Sequence, residues 1–304
     1  MFAPKFHLVF LSVLFGSAAC TEFVTPHAGP EKVFSLPVET GEGDKFGPIC
    51  NPPHLTPCPP SPYQIGLLLF PSYQQLDVFG PLDALNLLAT ALPLNLSIIS
   101  HSLSPISNHP YSPDWLLPVP NLRFEQRLLP THTFATAPSD LEVLIVPGGI
   151  GTWNEDAMPA VVEFVRDYAP RLKYILSVCT GSAILARAGV LDGKKATGNK
   201  SAWQMVTPLS DKTHWIKKAR WVEDGNVWTA AGVTAGQDMV LAWIDRVYGV
   251  RPVGDVFAPG SGAEPYGDFV ARRMEYSRVR DSGEDEFAEQ YPGEDVLPVG
   301  GKKT

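Results

Sequence analysis

The stretch that decides the fold runs from Lys173 to Leu191 and reads KYILSVCTGSAILARAGVL. Its first seven residues form a short apolar run typical of a buried strand, and the spacing from Ser182 onward is typical of a helix. A strand that ends at Cys179 and turns directly into a helix places the cysteine at the start of that helix. Gly181 permits the sharp turn. We therefore predict a strand–turn–helix unit with Cys179 at its corner.

Similar alternation extends along the chain on both sides of this unit. Further strands are predicted at 64–70, 95–100 and 140–149, and helices at 81–91, 159–168 and 236–248. Alternating runs around 224–225 and between 122 and 134 predict small hairpins. Buried strands that alternate with helices indicate an α/β fold: a doubly wound, mostly parallel sheet with helices on both faces and small β-hairpin additions. Ligands of such sheets bind at the carboxyl ends of the strands.

Three segments outside this core are predicted to be different in kind. Residues 1–19 combine one lysine, an apolar stretch and small residues before Cys20, which is the layout of a cleavable signal peptide. Residues 20–62 are rich in proline and glycine and predict an extended arm. Residues 278–304 include seven acidic residues and no basic one between Asp281 and Asp295, which predicts a disordered acidic tail. The catalytic domain is therefore expected over residues 63–277.

The cysteines and sequons bear on the compartment. Cys50 and Cys58 bracket the loop CNPPHLTPC and are candidates for a disulfide in an oxidising compartment, which leaves Cys179 as the odd thiol. The alternative is a set of unrelated reduced thiols. Sequons at Asn95 and Asn199 qualify the secretory interpretation, because one lies in a predicted strand and the other near the predicted site. We expect a secreted or secretory-pathway protein, with a cytoplasmic location as the alternative.

Composition argues against several function classes. The formal net charge is −8, and lysines and arginines form no long cluster, so we expect no nucleic-acid partner. The apolar leader is too short for a comfortable membrane span, so we expect no membrane association after its cleavage. Histidines lack metal-ligand spacing and no dinucleotide-type glycine loop occurs, so no metal or cofactor is expected.

Three features are predicted to meet at the carboxyl edge of the sheet. Cys179 lies at a helix N-terminus, whose N–H groups and dipole lower the pKa of a thiol; the alternative is a buried structural cysteine. Gly148 and Gly149 end the preceding strand and are candidate oxyanion donors; the alternative is a plain tight turn. Asp77 follows the first strand, where the alternative role is a helix N-cap.

Four motifs in order carry a family resemblance: LLLFPSYQQLDVFGP, VLIVPGG, LSVCTGSAILARAGVLDGKKAT and AAGVTAGQDMVLAWI. Together they resemble the ThiJ/PfpI superfamily of the class I glutamine amidotransferase-like, flavodoxin-like fold, and within it the isonitrile hydratase branch. The resemblance covers residues 64–275. The family's members are commonly homodimers, so it implies a homodimer that acts on a small-molecule substrate.

The resemblance implies roles for individual residues. Cys179 falls on the nucleophile and Asp77 on the acid/base, while Thr180 falls on a residue that positions the substrate or the thiolate. The backbone groups of the two turns, at Gly148, Gly149, Ile150 and Gly181, are the predicted oxyanion or substrate-binding groups. One departure is visible: where bacterial hydratases read ATTHW, this chain has ATGNKSAW, with Gly198-Asn199-Lys200 in place of the histidine.

The implied activity is addition of water to a small electrophile, with an isonitrile converted to an N-substituted formamide as the first choice. Glyoxalase or deglycase chemistry on reactive carbonyls would use the same thiol and carboxylate. The non-enzymatic alternative is a redox-sensing or ligand-binding module whose cysteine oxidises reversibly.

Overall fold

The computed structural model describes residues 62–112, 124–251 and 263–299. The predicted leader, most of the arm, and Cys50 and Cys58 lie outside the described residues. No helix within the described ranges is long and apolar enough to cross a membrane.

A seven-stranded sheet forms the centre of the fold. Its strands are, in chain order, β1 (Gln64–Leu68), β2 (Asn95–Ser100), β5 (His132–Thr133), β6 (Val143–Val146), β7 (Tyr174–Ser177), β10 (Trp221–Asp224) and β11 (Val227–Ala230). Their spatial order is β10-β11-β7-β6-β1-β2-β5. All neighbours are parallel except β10 and β11, which form the predicted hairpin. The prediction of a mostly parallel sheet is confirmed.

Three small two-stranded sheets accompany it. They pair β3 (Ile106–Ser107) with β4 (Arg127–Leu128), β8 (Lys195–Ala196) with β9 (His214–Trp215), and β12 (Val250–Arg251) with β13 (Glu264–Pro265). The hairpin predicted between residues 122 and 134 is not found in the described part of the chain. Strand β4 pairs with β3, and β5 joins the edge of the central sheet beside β2.

Helices cover both faces of the sheet. Helices α1 (Gln75–Leu88), α5 (Ala235–Tyr248) and α6 (Tyr266–Arg273) pack against one another, and α2 (Met158–Tyr168) packs against α3 (Gly181–Arg187). A short helix, α4 (Trp203–Val206), follows the site loop. The strands read as continuous apolar runs because both faces are covered; every residue of β6 is buried.

Helix α1 differs from its prediction. Pro81 suggested a helix that starts at Pro81, whereas α1 begins six residues earlier, at Gln75, and keeps Pro81 inside it. Proline has no N–H, so it leaves the carbonyl of Asp77 without its usual helical donor, a cost that tertiary packing offsets here. The close approach of α1 to α5 requires a glycine at position 80, since a Cβ there would lie 2.9 Å from Gln237.

The prediction of a disordered acidic tail is wrong for residues 278–299. We call this stretch the C-terminal segment. Its backbone makes hydrogen bonds to the domain at both ends: Val279 N–H donates to Asp238, and Val299 N–H donates to the carbonyl of Asp211. Near Val296 it pairs with Trp215 as an isolated bridge. The segment is therefore part of the folded unit.

Two buried lysines hold the C-terminal segment against the domain. Lys200 Nζ lies 3.2 Å from Asp285, and both side chains are only 2% exposed. Lys217 Nζ donates to the carbonyls of Ala288 and Tyr291. Burial lowers the pKa of Lys200 to about 8, even though Asp285 acts in the opposite direction. A charge buried in this way needs its partner, so the segment is tied down by compensation of charge.

Breaking this ion pair should destabilise the protein. Lys200→Met leaves Asp285 buried without its partner, which typically costs about 3–5 kcal/mol in free energy of unfolding. Chemical denaturation measures this directly. The matched control is Lys212→Met, which removes the exposed pair with Asp192 and should leave the midpoint almost unchanged. Equal effects of the two substitutions would contradict the role given to Lys200.

Candidate active site

The candidate site lies at the carboxyl edge of three adjacent strands, β1, β6 and β7. Asp77 follows β1 in the first turn of α1, Gly148 and Gly149 follow β6, and Cys179 and Thr180 follow β7. These are the positions where a parallel sheet places ligands. The structure brings all the predicted features together.

Cys179 has the backbone geometry predicted for a nucleophile elbow. Its φ is 61°, a left-handed value rare for a residue with a side chain. Hydrogen bonds hold the turn on both sides: Cys179 N–H donates to Ala230 of β11, and Gly181 N–H donates to Val178. A Cβ at position 181 would collide with the carbonyl oxygen of Val146, so the helix can follow the strand this closely only with glycine.

Asp77 is fully buried and is not an N-cap. The cap position of α1 is Gln74, and Asp77 Oδ2 instead accepts a hydrogen bond from Gly148 N–H at 2.9 Å. Its Oδ1 has no hydrogen-bond partner of good geometry. The thiol of Cys179 is the nearby side-chain donor that lowers the pKa of the carboxyl group. Burial raises the pKa of Asp77 to about 7, more than these two donors lower it.

The pKa of Cys179 does not follow the prediction. Burial raises the pKa of the thiol, and the neighbouring charge of Asp77 raises it further. Hydrogen bonds from Thr180 and Asn199 favour the thiolate but do not offset burial. The expectation of a low pKa from the helix terminus alone was wrong because it omitted desolvation, which disfavours the charged form.

The glycine turn supports the site but does not offer the predicted free donors. Gly148 N–H is bonded to Asp77, Gly149 N–H donates to Thr180 Oγ1 at 2.9 Å, and Gly181 N–H is used within the elbow. Gly148 and Gly149 therefore position side chains, and Gly181 closes the elbow by a backbone hydrogen bond. None of the three N–H groups is free for an oxyanion, and that part of the prediction is corrected. The role of Ile150, at the start of the following 3₁₀ turn, stays a prediction.

Asn199 is the site residue that sequence reasoning missed. Its Nδ2 donates to Cys179 Sγ at 3.1 Å. Its Oδ1 accepts hydrogen bonds from Ser201 Oγ at 2.5 Å and Ala202 N–H at 3.1 Å, which fix the amide orientation. The only sequence signal was the replacement of the family's histidine at this place. An amide has no titration near neutral pH, so Asn199 can donate to the sulfur but cannot take its proton.

Comparison with known proteins identifies the family. The family model described as the DJ-1/PfpI family matches residues 64–246, more than half of the chain. The chain belongs to the DJ-1/PfpI family. It is 35% identical over 187 residues to an isonitrile hydratase from Pseudomonas putida, a match that covers 62% of this chain and 73% of the relative.

Other relatives of this DJ-1/PfpI chain differ in kind. An HTH-type transcriptional regulator from Pseudomonas aeruginosa is 26% identical over 199 residues, covering 65% of this chain and 50% of the regulator. Among solved structures, a ThiJ/PfpI family protein from Pseudomonas syringae superposes with a TM-score of 0.51 at 28% identity, covering 77% of this chain and 84% of that one. Family membership alone therefore does not choose between an enzyme and a regulator.

Within the described ranges, no group of three histidine, cysteine or carboxylate side chains could hold a metal ion. The chemistry available to the site is that of one thiol, one carboxyl group and the hydrogen-bond donors around the sulfur.

The burial of Asp77 predicts how stability depends on pH. Its pKa is raised from 3.8 to about 7 on folding, so the folded state holds a proton that the unfolded state has lost between these values. The free energy of unfolding should therefore fall as pH rises through this range, by up to about 1.4 kcal/mol per pH unit. Asp77→Asn removes this ionisation and should flatten the dependence. Parallel slopes for both proteins in denaturation from pH 4 to 8 would contradict the assignment.

Asn199 gives a second test at this site. Asn199→Asp keeps the oxygen that accepts from Ser201 and Ala202 but replaces the donor to Cys179 by a negative oxygen. The pKa of the thiol should rise, and alkylation of Cys179 by iodoacetamide at pH 8 should slow by at least about tenfold.

The matched control for this substitution is Asn154→Asp. Asn154 Oδ1 also accepts two hydrogen bonds, here from the backbone N–H groups of Asp156 and Ala157. Its side chain makes no hydrogen bond to Cys179. The alkylation rate at Cys179 should stay unchanged in that variant. A loss of rate of the same size in both variants would show that the effect comes from the fold and not from the hydrogen bond to sulfur.

Proposed function

We propose that the chain is a cysteine-dependent hydratase that converts an isonitrile, R–N≡C, to an N-substituted formamide. The observation that carries this proposal is a fully buried carboxyl group, with a pKa raised to about 7, beside a cysteine in a strained elbow. The 35% identity to an isonitrile hydratase supports the choice of substrate.

The proton held between Asp77 and Cys179 is the central requirement. The pKa of Asp77 lies below that of the thiol, so above about pH 7 the pair rests as carboxylate and thiol. Transfer of the thiol proton to Asp77 gives a thiolate and a carboxylic acid with no change in total charge. A buried site therefore accommodates this transfer far better than it would a second negative charge.

In the first step the thiolate of Cys179 forms a bond to the terminal carbon of the isonitrile. Asp77 delivers its proton to the same carbon, which gives the thioimidate R–N=CH–S–Cys. The carbon of an isonitrile carries a lone pair, so it accepts the proton and the sulfur together. Asp77 returns to its carboxylate form and is ready to act as a base.

In the second step water attacks the thioimidate carbon while Asp77 accepts one of its protons. The nitrogen gains a proton and the carbon–sulfur bond breaks, which releases R–NH–CHO and restores the thiol. No external oxidant or reductant is needed, because one molecule of water is added in total. Hydrogen bonds from Asn199 and from the backbone of Thr180 stabilise the departing sulfur.

The test is formamide production from cyclohexyl isonitrile. Cys179→Ala should abolish turnover, and Asp77→Asn should lower kcat/KM by about 10²- to 10⁴-fold because it removes general acid–base catalysis. The matched control is Asp83→Asn, an exposed carboxylate on the same helix, which should behave as the wild type. The wild-type kcat/KM should rise with pH through about 7, since the fully protonated pair has no base.

Other outcomes would contradict the proposal in distinct ways. Unchanged turnover in Cys179→Ala would show that Cys179 is not the nucleophile. Turnover of methylglyoxal without turnover of isonitriles would favour the carbonyl-directed alternative. Reversible oxidation of Cys179 without turnover of either substrate would favour a redox-sensing module. Regulators do occur among the relatives.

A further inference from the structure

A cavity of about 220 Å³ adjoins the site at Asn199. Its wall includes Asn199, Ser201, Gly232, Val233, Phe287 and Tyr291. Asn199 belongs to both places, because it lines the cavity and its Nδ2 donates to Cys179 Sγ at 3.1 Å. Cys179 itself does not line the cavity, and Asn199 connects the two places.

The C-terminal segment supplies one side of the cavity with two aromatic rings. Two lysines of the domain fix the backbone of this segment. Lys200 pairs with Asp285, and Lys217 donates hydrogen bonds to the carbonyls of Ala288 and Tyr291. The side chains of Phe287 and Tyr291 nevertheless remain 40% and 41% exposed. A fixed backbone that holds uncovered rings against a cavity presents apolar surface to whatever enters it.

The charged groups at the wall are already compensated. Lys200 is paired with Asp285, and Arg220 contacts Asp238 at 2.7 Å while also bonding Thr234. None of the other wall residues is charged, and they include Val233, Ala235 and the two rings. Such a lining suits an uncharged, apolar group, since a buried charge would find no free partner of opposite sign among these residues.

We propose that this cavity binds the apolar N-substituent of the substrate, and that Phe287 and Tyr291 determine how large that substituent can be. The inference rests on the proposed function for the identity of the substrate. The reacting carbon lies at Cys179, and the substituent extends past Asn199 against the C-terminal segment. Specificity is thus set by a segment that lies outside the residues matched by the family model.

Gly232 offers a way to fill the cavity without disturbing its walls. A Cβ at this position would meet no atom within 4 Å, and the backbone is not in the left-handed region. Gly232→Leu should lower kcat/KM for cyclohexyl isonitrile by at least about tenfold and change that for methyl isonitrile by less than about threefold. Gly232→Ala, with one methyl group, is the conservative control and should give a smaller effect in the same direction.

The aromatic wall is tested by truncation. Phe287→Ala should raise KM for cyclohexyl isonitrile by about five- to tenfold with little change for methyl isonitrile, because only the larger substituent reaches the ring. The matched control is Phe124→Ala, a ring that is 82% exposed and does not line the cavity. Equal effects on both substrates, or equal effects of both truncations, would overturn the inference while leaving the proposed function intact.

A second measurement does not depend on turnover. Iodoacetamide and N-cyclohexylmaleimide both alkylate thiols, and mass spectrometry of the peptide that contains Cys179 separates this site from the other cysteines. Gly232→Leu should slow the bulky reagent selectively. If that result came without any isonitrile turnover, it would support the cavity as the place that receives a bulky group beside Cys179. It would reject the isonitrile as the substrate. Equal slowing of both reagents, or slowing of neither, would overturn the inference.

Discussion

The structure depends on one constraint: a backbone turn at Cys179 that must be both left-handed and buried. A φ of 61° on a residue with a side chain costs about 1–2 kcal/mol, and it persists only where the surroundings fix it. Here the neighbouring strands do so, because Val178 N–H donates to Val146 of β6 and Cys179 N–H donates to Ala230 of β11. The central position of β7 in the sheet therefore determines where the sulfur lies.

The same crowding decides which residues surround the sulfur. A Cβ at Gly148 would lie 2.5 Å from the backbone nitrogen of Thr180, so glycine alone lets the β6 turn approach the elbow. That approach brings Gly148 N–H to Asp77 and Gly149 N–H to Thr180. These two backbone N–H groups thus hold a carboxyl group and a hydroxyl group beside the thiol. Both groups are buried as a result, and burial raises both pKa values.

Sequence reasoning found the sheet and the elbow because both leave local signals. Buried parallel strands read as continuous apolar runs, and a strand followed by Cys-Thr-Gly and helical spacing predicts its own turn. The pKa of Cys179 could not be predicted from the same residues, since the helix terminus is visible in the sequence and the degree of burial is not. The start of α1 was misplaced because Pro81 is a typical first-turn residue, whereas the structure keeps it in the interior of the helix.

The misreading of the C-terminal segment has the same physical origin and a larger consequence. A run of acidic residues without basic neighbours is normally a solvated tail. The two lysines that hold it here, one on the Asp285 carboxylate and one on backbone carbonyls, stand more than 60 residues earlier in the chain. Because Lys200 directly follows Asn199, the ion pair that orders the segment also supports the loop that donates to the sulfur. The elbow lies within the residues that the family model matches, whereas the C-terminal segment lies after them in the chain. The two aromatic rings of the cavity wall therefore come from a different part of the chain than the elbow, although the ion pair between Lys200 and Asp285 connects the two parts.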